Sequence, residues 1–170
     1  SAASAVRMDS PAVVAAAGFA VRAPQVGGPP GLVPQASNPR RPRGPDHLAV
    51  PPDLTHHPVW FADDPRREFD EIAAGRMPTD PTIYACVSSV TDPSQAPAGH
   101  ENWFLLINVP AGLPVDRDAA TAHVLGRLAS HGTALRDRLL FTETLTPDDL
   151  AERYRAPGGA IYGTSSNGRR

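Results

Sequence analysis

The chain has 170 residues, 41% of them apolar and 6% aromatic, with a formal net charge of −2. That is enough for one ordinary domain and too little for two, and the near-neutral charge gives no electrostatic footprint for nucleic acid. One cysteine, Cys86, excludes an internal disulfide framework and any cysteine-based zinc finger or ribbon, and no uncharged apolar run reaches the ~20 residues a membrane-spanning helix needs.

Composition changes near residue 55. Residues 1–54 hold ten of the 20 prolines, five of the 14 glycines and one aromatic, Phe19. Residues 55–170 hold the remaining aromatics and are acidic where the first piece is basic. All sixteen basic residues are arginine, a bias that reads as GC-rich coding. Residues 11–21 resemble the apolar part of a secretion signal, although a short marginal helix is the better reading. Residues 24–45 are too rich in proline and glycine for a helix or an interior strand, because proline removes donors and glycine raises the cost of ordering. We therefore expect 1–54 to be a low-complexity, disordered or mis-framed segment, and both ends of the chain read as cut.

From residue 55 onward the pattern is that of a folded domain. His57-Pro58-Val59-Trp60-Phe61 predicts a short strand, its proline favouring an edge or a strand start. Asp64-Pro65 opens a helix, with Phe69, Ile72 and Ala73 as its buried stripe and Gly75 as its stop. Residues 82–90 predict a strand with Ile83, Ala85 and Val87 on one face and Tyr84, Cys86 and Val90 on the other. Both faces are mostly apolar, which predicts cover on both sides. A second strand over 103–109 is its expected antiparallel partner. Asp116 caps a predicted helix reaching His131, with Ala120, Val124, Leu125 and Leu128 inward. Residues 138–145 predict a third strand, with Leu139 and Phe141 opposite Thr142 and Thr144. Thr146 and Asp149 then start a helix carrying Leu150 and Tyr154. The fold class is α+β: a mixed or antiparallel sheet of three to four strands with about three short helices. The near-continuous apolar strands predict that something outside this chain covers part of the sheet.

No complete catalytic constellation appears. His56 and His57 with Asp63 and Asp64 have metal-ligand chemistry, but neighbours on a strand point to opposite faces, so we expect no metal site. His100, His123 and His131 read as surface residues. Residues 163–168 miss the G-x-S-x-G elbow, because Asn167 stands where glycine is needed. Residues 158–163 follow a helix rather than a strand, which fails the dinucleotide fingerprint. Cys86, mid-strand without a basic neighbour, reads as a packed small residue.

Longer strings are more specific. LTHHPVWFADDPRREFDEI (54–72), DPTIYACVSSVTDPSQAPAGHENWFLLINVPAG (80–112), RLLFTETLTPDDLAERY (138–154) and APGGAIYGTSSNGRR (156–170) stand in the order and spacing of one family. Residues 55–170 resemble part of the substrate-binding domain of bacterial phytoene (carotenoid) desaturases, FAD-dependent flavoproteins of the amine-oxidase type. The resemblance implies hydride transfer from a long isoprenoid to flavin, leaving a double bond, in a cytoplasmic protein peripheral to the membrane. It implies FAD in the full-length parent and none bound by this chain alone, because the N-terminal fingerprint and the second flavin segment are missing. It names no catalytic residue. It suggests an apolar wall for a polyene built from Trp60, Tyr84, Trp103, Phe104 and Tyr162, with the nearby glycines letting flavin or polyene approach. The competing reading is a non-catalytic isoprenoid-binding module without a flavin domain.

Overall fold

The computed structural model describes residues 13–23, 54–97 and 100–161. Among them are three α-helices and a five-stranded sheet: β1 (Val13–Ala23), β2 (Val59–Trp60), β3 (Ile83–Cys86), β4 (Glu101–Pro110) and β5 (Thr142–Thr144), in the order β2-β3-β4-β1-β5. Every pairing is antiparallel. The expected α+β class and the pairing of β3 with β4 both hold, with one strand more than the sequence suggested.

That extra strand corrects the helical reading of 11–21. Ten-residue β4 would leave a long row of unpaired amides and carbonyls on its far side. β1 fills that row, from Val13 opposite Pro110 to Ala23 opposite Glu101. Val13, Val14, Phe19 and Val21 suit extended backbone, and tertiary pairing overrides the helix preference of the alanines between them. The rest of 1–54, including the proline-rich 24–45, lies outside the described residues except for Leu54.

The helices start where their caps predict. α1 (Pro65–Ala73) begins at Asp64, whose Oδ1 accepts the amides of Arg66 and Arg67 at 3.1 Å each. α2 (Arg117–Ser130) begins at Asp116, which accepts the Ala119 amide at 2.7 Å. α3 (Pro147–Tyr154) begins with a reciprocal capping box between Thr146 and Asp149. In α2 the inward set is Ala120, Val124, Leu125 and Leu128, as the periodicity predicts.

The stripe of α1 differs. Ile72 is buried, but Phe69 is 55% exposed and Ala73 is exposed. Glu68 and Glu71 turn inward instead. Glu68 accepts the Thr82 amide (2.8 Å) and hydroxyl (2.7 Å), and Glu71 accepts the Thr79 amide at 2.7 Å. Residues 79–82 approach β3 as a loop, with no strand partner for those two amides in the sheet. Two carboxylates accept them in place of a sheet partner, in part-buried hydrogen bonds.

Two predicted strands are shorter than expected. The 82–90 segment leaves the sheet after Cys86, and Ser88–Val90 form a 3₁₀ turn. Ser89 Oγ there accepts the Asn102 amide at 3.1 Å, a side-chain bond in place of a ladder rung. The 138–145 segment keeps only Thr142–Thr144 as strand, preceded by a 3₁₀ turn at Arg136–Arg138. Phe141 is exposed and Leu139 half-buried.

One face of the sheet carries the core. Ile83, Ala85, Trp103, Leu105, Ile107 and Val109 are fully buried against the inward residues of α2, with Leu135 and Leu150. Arg127 of α2 fastens this layer to the 61–80 region, donating to the Phe61 carbonyl at 3.2 Å and pairing with Asp63 and Asp80.

Candidate functional site

The alternation of β3 and β4 sorts the aromatic candidates onto two faces. Trp103 is fully buried in the core, and its indole N–H donates to Glu101 at 3.0 Å. Trp60 stands opposite Ile83 in the pairing of β2 with β3 and packs against the same core from the edge. Tyr84 and Phe104 lie on the other face, so the structure brings together two of the five. Tyr162 lies outside the described residues.

Among the described residues that second face is partly open. Register places Val59, Tyr84 and Leu106 side by side, with Cys86 beside Phe104. Val59 and Phe104 are each 41% exposed, and Tyr84, Cys86, Leu106 and Asn108 are half-buried. None of these side chains is charged. Among the described residues one face of β3 is sealed and the other is partly open, which leaves room for the cover from outside this chain that the sequence predicts. On the helix side, a shallow cleft of about 400 Å³ lies between α2 and residues 77–79, lined by Met77, Pro78, Leu113, Val115 and His123. None of the four described aromatic candidates, Trp60, Tyr84, Trp103 and Phe104, lines it.

Three side chains that the sequence kept apart converge at the edge of the open face. His56 and His57 lie in a bend before β2, not on the strand. The bend turns both imidazoles the same way, and they stack with centroids 4.1 Å apart and planes 17° apart. The opposite-faces expectation fails for that reason. Residues 56–58 run along 85–87, with the Val87 amide donating to the His56 carbonyl (2.7 Å) and the Ala85 amide to the Pro58 carbonyl (2.9 Å). Cys86 therefore lies across from His57, and it has basic neighbours after all. One ligand atom from each of His56, His57 and Cys86 lies within 4.8 Å of the others. The signal was present in the sequence only as two segments 28 residues apart whose register was unknown. Asp63 and Asp64 do not join them: Asp64 caps α1, and Asp63 pairs with Arg127. His123 is half-buried, its Nε2 3.0 Å from the Pro78 carbonyl, rather than a free surface residue.

The glycine turn after α3 makes its close approach to the chain's own backbone. The Gly112 amide donates to the Gly158 carbonyl at 2.7 Å, and a Cβ on Gly159 would stand 2.2 Å from the Pro147 carbonyl oxygen. At Gly158 and Gly159 the body that comes close is the chain's own backbone.

No protein-family model matches the chain. Curated relatives do. The chain is 38% identical over 120 residues to a hydroxyneurosporene desaturase of Cereibacter sphaeroides, an alignment that takes in 69% of this chain and 24% of the relative. It is 35% identical over 127 residues to a 4,4'-diaponeurosporene oxygenase of Staphylococcus haemolyticus and 38% identical over 128 residues to a 4,4'-diapolycopene oxygenase of a Methylomonas species. These alignments again take in 69% of this chain, and 25% and 26% of the relatives.

The chain belongs to the carotenoid desaturase family.

It spans about a quarter of the length of the curated relatives it matches. The described part of this carotenoid desaturase family member contains no strand–glycine loop–helix cradle, and its glycine turn is occupied by its own backbone. These residues do not fit a flavin dinucleotide. Among the described residues no helix is long and apolar enough to cross a membrane.

Proposed function

We propose that this chain forms part of the substrate side of an FAD-dependent desaturase, which introduces double bonds into a long isoprenoid by passing hydride to flavin at a cytoplasmic membrane surface. The names of its relatives, a hydroxyneurosporene desaturase and oxygenases of diaponeurosporene and diapolycopene, support that reading. The observation that carries the reading here is the open, uncharged face of Val59, Tyr84, Phe104 and Leu106. The hydrocarbon chain of a polyene has no hydrogen-bonding group to recognise, so it is held by apolar area and shape. Redox chemistry of this kind belongs to the cofactor, while protein supplies position and a dry environment. The contribution proposed for this chain is a wall that orients the polyene and keeps water from it.

The test uses the complete protein encoded around this sequence. It should purify with flavin absorbance and should desaturate a neurosporene-type polyene presented in liposomes. Phe104→Arg should lower turnover at limiting polyene by at least about tenfold, because a buried unpaired charge is costly against a hydrocarbon, while flavin content stays unchanged. A complete product that holds no flavin overturns the reading, as does a Phe104→Arg variant with parental turnover.

A further inference from the structure

We propose that His56, His57 and Cys86 form a binding site for a thiophilic divalent cation of the zinc class. The donor set is two imidazoles and one thiol, converging within 4.8 Å. Around a single zinc ion, nitrogen ligands at about 2.0 Å and a sulfur at about 2.3 Å stand roughly 3.3–3.8 Å from one another. Closing the set from 4.8 Å to that spacing requires the two stacked rings to tilt so that their in-plane lone pairs meet at one ion. Soft sulfur with imidazole nitrogen, and no carboxylate, selects zinc-like ions over magnesium or calcium.

The surroundings have the form that metal-ligating histidines require. Such histidines hold their second ring nitrogen on an oxygen partner, which fixes tautomer and ring orientation. His57 Nδ1 is 2.9 Å from the Tyr84 hydroxyl, and the Tyr84 ring lies nearly parallel to the imidazole, 14° between planes. His56 Nδ1 is hydrogen-bonded with the Thr91 hydroxyl. With each Nδ1–H donating to its hydroxyl, each ring keeps an Nε2 lone pair to offer. His57 is exposed and the other two are half-buried, so an ion can enter from solvent and complete its tetrahedron with water. On binding, the Cys86 S–H bond breaks, its proton goes to solvent, and the thiolate takes up the metal.

The test is titration of the reduced full chain with Co²⁺ as a spectroscopic substitute for zinc. The expected result is one equivalent bound, with a thiolate-to-cobalt charge-transfer band that one equivalent of Zn²⁺ bleaches. Cys86→Ser should abolish the band. His57→Gln, at an exposed position that does not touch the core, should weaken binding by more than about tenfold with unchanged circular dichroism, and Tyr84→Phe or Thr91→Ala by about tenfold. If Cys86→Ser does not fold, the His57→Gln result decides. Absence of the band in the parent chain overturns the site. So does a band that His57→Gln leaves unchanged, or tight binding that survives in folded Cys86→Ser.

Discussion

Asp149 gathers three donors. The Thr146 amide and hydroxyl reach its Oδ2 at 2.6 and 2.7 Å, and Arg117 Nη2 reaches its Oδ1 at 2.5 Å. The Arg117 hydrogen bond, first among the causes, together with the Thr146 bonds holds this carboxyl well below the usual carboxylate range, against the opposing effect of burial. An unfolded aspartate takes up its proton near pH 4. The stability that the charged Asp149 supplies is therefore complete above about pH 4 and is lost as pH falls toward the folded value. Asp149→Asn should cost about 1 kcal/mol at neutral pH through the weakened cap and should flatten the decline in acid. Urea unfolding of both proteins across the acid range checks this, and parallel declines would show that the pair contributes nothing. The Thr146–Asp149 box could be read from four consecutive residues. Arg117, 32 positions away, could not. The same limit explains α1, where periodicity put Phe69 inside and the structure puts Glu68 and Glu71 there. Those carboxylates are inward because Thr79 and Thr82 have amides to satisfy, a demand that arises only once the loop is folded against the helix.

At the level of elements, helix starts were legible because capping is local chemistry, and strand ends were not, because they depend on what the neighbouring segment offers. β1 is the largest such case: its alanines favour helix, and only the vacant side of β4 makes it extended. The glycine turn after α3 allows a direct comparison of two positions. Gly159 has φ +75° and a prospective Cβ 2.2 Å from the Pro147 carbonyl oxygen, whereas Gly75 has φ +73° and nothing within 4 Å. Both substitutions to alanine incur the left-handed backbone cost, about 1–2 kcal/mol. Gly159→Ala must in addition displace the start of α3, adding about 1–3 kcal/mol. Thermal unfolding should therefore rank Gly75→Ala clearly above Gly159→Ala in stability. Equal losses would mean that α3 yields freely.

For the molecule as a whole, the two sides of the sheet predict two kinds of mutant. Leu105 is fully buried under α2, and its neighbour Phe104 faces the open side. Leu105→Ala should cost about 2–5 kcal/mol, and Phe104→Ala under about 1 kcal/mol. Chemical denaturation of both measures the contrast, and similar losses would mean that the second face is as well packed as the first. The alternation itself was plain in the sequence. What it could not say was whether the second set of apolar residues is covered, since a doubly buried strand and one with an uncovered greasy side have the same composition. The rims of the sheet narrow the choice of what can meet it. Its borders are β2 and β5, two and three residues long, with Pro58 just before β2. Such stubs offer an incoming chain few main-chain rungs of their own, although β5 pairs with only Phe19, Ala20 and Val21 of the 11-residue β1. A body that comes down onto the flat side of this sheet is read by side chains, so its selectivity will follow contour and greasiness rather than peptide geometry.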